Sequence, residues 1–214
     1  NRIIWDLRHD AATPLDNPPT TGWRSGAMHV FAVPGDYTAV ADVNGRTLQA
    51  NFSVKADHRF ELSQEGYEAQ AQATLALREL LSETHAMING VEAALRQLGE
   101  LKEKLEADQN AEMVAMVDAA TSEAEAVLAM LTRPAPAMGY RDKPRLREEI
   151  RSLMRAIDSP VNAPTEPQIV RLAQLHDERD AARDAYETLV ADSIAQLNEM
   201  AADMPQVLVG SAGD

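Results

Sequence analysis

Five histidines are the side chains best suited to carry a proton or a metal near neutral pH: His9, His29, His58, His85 and His176. A helical zinc site needs two of them four residues apart with a carboxylate in reach, and no pair has that spacing. His85 and His176 could meet only across packed helices, where packing or exposed roles are the simpler assignment. The paired Glu-x-x-His ligands of a di-iron bundle do not occur. Acyl transfer would need an activated hydroxyl, yet Ser63, Ser82, Ser122, Ser152 and Ser193 all lack a Gly-x-Ser-x-Gly turn. Glu148-Glu149 and Asp177-Glu178 are expected on solvated faces beside arginines. Asp180 and Asp184, close to Arg179 and Arg183, suit helical ion pairs better than acid–base work. No glycine-rich phosphate loop is found. One aromatic candidate remains. Trp23 and Arg24 sit in a polar loop from Asp10 to Gly26, and a ring in such a loop can stack on a sugar or peptide. Its plainer role is to cover the open end of its own small core. No catalytic group, metal or cofactor is implied; Trp23 and Arg24 stand as the candidate binding pair.

Composition narrows the classes further. The chain has 214 residues, 45% of them hydrophobic, so it can bury a sizeable core. It has no cysteine, which removes disulfides and thiolate metal sites. No apolar run reaches the 18 or so residues that a membrane span needs. The net charge of −14 is uneven: residues 1–57 are close to neutral and the remainder is strongly acidic. An acidic helical surface repels phosphate backbones, so nucleic acid is not an expected partner. Most aromatics precede residue 61, with only Tyr67, Tyr140 and Tyr186 beyond it. Two regions of different make-up are expected, with the boundary near residue 57.

The first region reads as strands. Ile3, Trp5 and Leu7 alternate with polar neighbours, and Met28 to Val33 can form a second short strand. After Pro34-Gly35 comes the sharpest local signal. Tyr37, Ala39, Ala41 and Val43 alternate up to Asn44-Gly45, and Leu48, Ala50, Phe52 and Val54 alternate after it. Asn-Gly favours a two-residue type I′ turn, because both central residues need positive φ. That turn predicts a register in which Ala41 faces Leu48, Ala39 faces Ala50 and Tyr37 faces Phe52, so the apolar faces coincide. Four strands are few for a sandwich, so either further strands precede Asn1 or the helical region covers the sheet. The opening Asn1-Arg2-Ile3-Ile4-Trp5 falls inside a strand-like run and reads as a piece of something longer.

Four segments carry a resemblance. They are Asn1-Arg2-Ile3-Ile4-Trp5-Asp6-Leu7-Arg8, Pro34-Gly35-Asp36-Tyr37-Thr38, Asn44-Gly45-Arg46 and Val54-Lys55-Ala56-Asp57-His58-Arg59. Together they resemble the C-terminal part of secreted bacterial β-propeller proteins with BNR/Asp-box repeats, the sortilin-like "glycosyl hydrolase" group. The sequence departs from that pattern at Asn44, where Asp is usual, and at His58, where Pro is usual. The resemblance implies a partial immunoglobulin-like β module over 1–57, an upstream propeller as partner in the same polypeptide, and a secreted or periplasmic location. No Asp-box repeat lies within these residues, so the propeller's activity attaches to none of them.

From residue 58 the period changes to that of helices. Tyr67, Gln70, Thr74, Leu77, Leu81, Thr84, Ile88, Val91, Leu95, Leu98, Lys102 and Leu105 alternate steps of three and four. They predict a helix over about 63–105, interrupted in its seam from Leu77 on only by Thr84 and Lys102. Gly90 and Gly99 inside it suggest a bend or a close helix contact. Met113, Val117, Ala120, Ala124, Val127 and Leu131 predict a second helix over 110–132; its methionines suit gap-filling or a partner groove. Leu146, Ile150, Leu153 and Ile157 predict a third over 144–158. Thr165 and Gln168, spaced as a capping box, open a fourth over 166–204. Residues 206–214 are expected to fray. The fold expected is α+β: a small partial immunoglobulin-like β module followed by an antiparallel bundle of long helices. The function expected is that of a non-catalytic accessory region, with a glycan- or peptide-binding module and a helical self-association device as alternatives.

Overall fold

The computed structural model describes residues 3–18, 28–134, 142–158, 161–201 and 204–210. The architecture is α+β, a two-stranded antiparallel sheet plus helices. Strand β1 (Gly35–Val43) pairs with β2 (Arg46–Val54). Tyr37 pairs with Phe52, Ala39 with Ala50 and Ala41 with Leu48, the register that the Asn-Gly turn dictates. Asn44 and Gly45 both hold positive φ, at 50° and 76°. The stretches expected as two more strands reduce to one bridge between Arg8 and Phe31.

Helix α1 (Gln64–Ala107) is 44 residues long. Ser63 caps it by accepting from the Gly66 N–H at 3.2 Å, which satisfies one of the first-turn donors. Leu77, Leu81, Thr84, Ile88, Val91, Leu98 and Leu105 of the predicted seam are buried. A second series at seven-residue spacing, Ala73, Leu80, Met87, Ala94 and Leu101, is buried too. Three heptad positions are therefore covered, the broad face of a core helix and not the narrow seam of a coiled coil. Neighbours within the same chain supply the cover, since α1 packs against the next three helices in the chain. The two seam interruptions are both accommodated. Thr84 Oγ1 donates to the Leu80 carbonyl at 2.7 Å, so its hydroxyl is buried without an unmet bond. Lys102 Nζ reaches Asp118 on the next helix, also at 2.7 Å.

Helix α2 (Ala111–Leu131) begins at Asn110, whose side chain accepts from the Met113 N–H. Helix α3 (Leu146–Ile157) is short and buries Leu146, Ile150, Leu153, Met154 and Ile157. Helix α4 (Glu166–Thr188) starts where expected: Gln168 Oε1 accepts from the Thr165 N–H at 2.8 Å. It then runs through a π-helical turn (Leu189–Ile194) into helix α5 (Ala195–Met200). The apolar series explains the wide turn. Ala182, Tyr186 and Leu189 are spaced for an α-helix, but the next buried residue is Ile194, five residues on, followed by Leu197. One π turn keeps both halves facing the core. Gly90 is the close contact anticipated: a methyl there would overlap Tyr186 Oη of α4, whereas one at Gly99 would meet open space.

The core is not confined to helices. Val30 is buried within it, and Ala12, Leu15 and Met28 pack against it. Of residues 206–214, expected to fray, those to 210 are held, with Val207 buried.

Candidate functional site

The two faces of the hairpin differ. On one, polar side chains bond to the residue directly across: Thr38 to Asn51, Thr47 to Asp42 and Ser53 to Asp36. These pairs need nothing but water outside them. The other face is apolar. Tyr37 and Phe52 stack across the strands with ring centroids 5.9 Å apart. Trp5 joins them at 5.4 Å from Tyr37 and 5.9 Å from Phe52, making a three-ring cluster. The indole N–H donates to the Arg8 carbonyl and the Tyr37 hydroxyl to the Val33 carbonyl, so the polar atoms of both rings are satisfied inward. Trp5 nevertheless stays 43% exposed and Leu48, further along the face, 60%. Ile3, Ala39, Ala41 and Ala50 complete a shallow concavity of about 590 Å³. Large apolar side chains thus stand in contact with water along one side of a two-stranded hairpin.

A second arrangement ties the N-terminal segment to α1. Arg78, Ser82, His85, Asn89 and Glu92 follow one another at steps of four and three, a polar stripe beside the buried one. Each side chain contacts the segment 10–17 in turn. Arg78 Nη1 donates to the Asp10 carbonyl at 3.2 Å, and Ser82 Oγ accepts from the Thr13 N–H at 3.1 Å. Asn89 takes both sides of the chain, donating to the Pro14 carbonyl and accepting from the Asp16 N–H. Glu92 accepts from the Asn17 side chain. His85 sits in the middle. Its Nδ1 lies 2.5 Å from the Thr13 carbonyl, and its Nε2 accepts from Arg147 Nε at 3.2 Å. Those partners select the neutral, Nδ1-protonated ring. Burial lowers its pKa to about 4, Arg147 and Arg151 push the same way, and the Thr13 carbonyl opposes them. The ring is therefore uncharged at neutral pH and ties the segment 10–17 to α1 through the proton on Nδ1.

A cleft of about 540 Å³ lies where the base of the hairpin meets α1 and the end of α3. His29, Phe31, Phe60, Tyr67, Gln70 and Asp158 are among its walls. Burial raises the Asp158 pKa, against the pull of Arg8. The other acid of the cleft, Asp57, is tied to Arg59, whose hydrogen bonds hold that carboxyl well below the usual range.

Trp23 and Arg24 lie outside the described residues. His85 and His176 are not paired; His176 Nδ1 lies 3.5 Å from Arg179 Nη2, while His85 bonds Thr13 and Arg147. Arg179 and Arg183 both reach across to Glu83 of α1, while Arg179 also pairs with its neighbour Asp180. Glu148, expected on a solvated face, is only partly exposed and joins two elements. It accepts from Thr132 Oγ1 and the Arg133 N–H at the end of α2 and from the Arg145 N–H at the start of α3. Among the described residues no group of three His, Asp or Glu side chains is placed to hold a metal ion. No described helix is long and apolar enough to cross a membrane. Comparison of the chain with protein-family models, with curated proteins and with solved structures gives no match.

Proposed function

We propose that this chain is a non-catalytic accessory region of a larger, secreted or periplasmic propeller protein. In this reading the helices form a rigid spacer and the hairpin's apolar face seats further β structure of the same polypeptide, completing an immunoglobulin-like module. The observation that carries the reading is the contrast between the hairpin's two faces: one closed by cross-strand polar pairs, the other apolar with Trp5, Tyr37 and Phe52 clustered in the open. Size favours a partner in the same polypeptide. Strands of nine residues at about 3.3 Å each make a face about 30 Å by 10 Å, or roughly 300 Å². A freely diffusing partner needs about 800 Å² per side for a stable interface, whereas a tethered one is held by effective concentration. The sequence resemblance to the C-terminal part of BNR/Asp-box propeller proteins points the same way.

The test compares two polypeptides. The 214-residue chain should bind the apolar dye ANS, and Leu48→Lys with Phe52→Lys should remove most of that signal without shifting the helical melting transition. In a polypeptide that includes the propeller the dye signal should be largely gone. Equal dye binding by both polypeptides would refute the covered face, and sugar hydrolysis by the 214-residue chain would refute the non-catalytic role. A second reading makes the loop with Trp23 and Arg24 a glycan- or peptide-binding site. It rests on residue type alone, and loss of glycan-array binding in Trp23→Ala at unchanged stability would decide for it.

A further inference from the structure

The segment after α5 is held in an unusual way. Asn198 of α5 uses both atoms of its amide on one residue: Nδ2 donates to the Val207 carbonyl at 2.9 Å and Oδ1 accepts from the Val207 N–H at 2.8 Å. Gln97 of α1 does the same to the next residue, donating to the Leu208 carbonyl at 2.8 Å and accepting from its N–H at 2.9 Å. Tyr186 Oη then donates to the Gly210 carbonyl. Three side chains from α1, α4 and α5 thus bond both main-chain groups of Val207, both of Leu208 and the carbonyl of Gly210. Side chains alternate as on a strand: Val207 is buried at 3%, Leu208 is 71% exposed and Val209 is half-buried. The amides recognise the peptide backbone, which every sequence shares. Selectivity falls to the packing around buried Val207 and half-buried Val209, and to Gly90, whose missing side chain leaves Tyr186 room to stand where it does.

We infer that this slot between α1 and α5 is a binding site for an extended peptide with apolar residues two apart, and that residues 205–210 are its resident occupant in cis. Recognition is the strand-addition mode carried out by side-chain amides in place of a sheet edge. The resident segment, Pro205 to Gly210, is uncharged, although the helical region around it carries most of the −14. The partner that fits is therefore a segment of another protein that is neutral or basic, never acidic. The inference is independent of what covers the hairpin.

The probe is a blocked, fluorescent hexapeptide with the sequence of residues 205–210, followed by anisotropy. In the unaltered chain the cis segment competes at an effective concentration on the order of millimolar, so the peptide should bind weakly. Val207→Asp, which puts a charge into the inner pocket, should free the slot and bind the peptide at least tenfold more tightly. Adding Gln97→Leu to that variant should cut the gain several-fold, and a peptide carrying Asp in place of its first valine should not bind. Absence of saturable binding to a Val207→Asp chain of native helicity would overturn the inference. If that variant loses helicity, a chain ending at Met204 is tested instead; loss of helicity there as well would make 205–210 a part of the fold and equally overturn it. A dimer that grows with concentration and disappears in Val207→Asp would identify a second copy as the occupant and overturn the assignment to another protein.

Discussion

Helix α1 and the hairpin carry apolar residues at equally clear periods, but they use them in opposite ways. On α1 the period-seven series is fully covered, with Leu77, Val91 and Leu98 at 0% exposure. On β1 and β2 the period-two series lines a face that stays open, and the rings of Trp5, Tyr37 and Phe52 cover mainly one another. Periodicity therefore tells which side chains share a face and not whether that face is filled. Around α1 the filling comes from α2, α3 and α4, which follow in sequence and pack against it. The hairpin has no second layer among the described residues, and two strands alone are marginally stable in water. The first face is where the molecule stores its stability. The second leaves Trp5, Leu48 and Phe52 partly open to water.

Mutations should separate the two faces cleanly. The largest effect is expected at Leu77→Ala, buried at 0% on α1, which should cost about 3 kcal/mol or more in urea unfolding through lost transfer energy and a new cavity. Next comes acid. His85 has a pKa near 4 in the folded protein against 6.5 in the unfolded chain, so between those values the unfolded state binds more protons. Its contribution is intact above about pH 6.5 and lost as pH falls towards 4, on the order of 3 kcal/mol in total. Urea unfolding at a series of pH values should show that slope, and His85→Gln should flatten it. Gly90→Ala should follow, at about 2 kcal/mol, because the new methyl collides with Tyr186 Oη and disturbs its bond to Gly210. Removing the cap of α2 by Asn110→Ala should lower the thermal midpoint by the equivalent of about 1 kcal/mol. The smallest effect belongs to the hairpin: Leu48→Ser, at a position 60% exposed, should stay within about 0.5 kcal/mol. A hairpin loss as large as that at Leu77 would erase the contrast.

Much of this was legible in the residues. The Asn44-Gly45 turn set the strand register to the residue, because only positive φ at both positions closes a two-residue hairpin. The capping box at Thr165 marked one helix start, and the predicted starts at 63 and 110 coincide with the side-chain caps Ser63 and Asn110. What escaped was non-local. The five-residue step from Leu189 to Ile194 was visible, but a wide turn is taken only where both halves must meet the same core. Arg78, Ser82, His85, Asn89 and Glu92 keep a heptad spacing as regular as the leucines, yet search rules for helices look for apolar stripes. Their partner is the irregular backbone of 10–17, which carries no period of its own. Segment 205–210 escaped for the same reason: its partners Gln97 and Asn198 are common surface residues until a strand is laid between them. The short strands at either side of the Asp10–Gly26 loop had the right alternation, but pairing was limited to Arg8 and Phe31.

Amide hydrogen exchange followed by mass spectrometry addresses the central contrast most directly, because it reads both faces in one experiment. Amides of α1 between Leu77 and Leu98 should exchange only on global unfolding, while those of β1 and β2 should exchange orders of magnitude faster. Equal protection in the two regions would mean that the hairpin is already covered in this chain and would contradict the account.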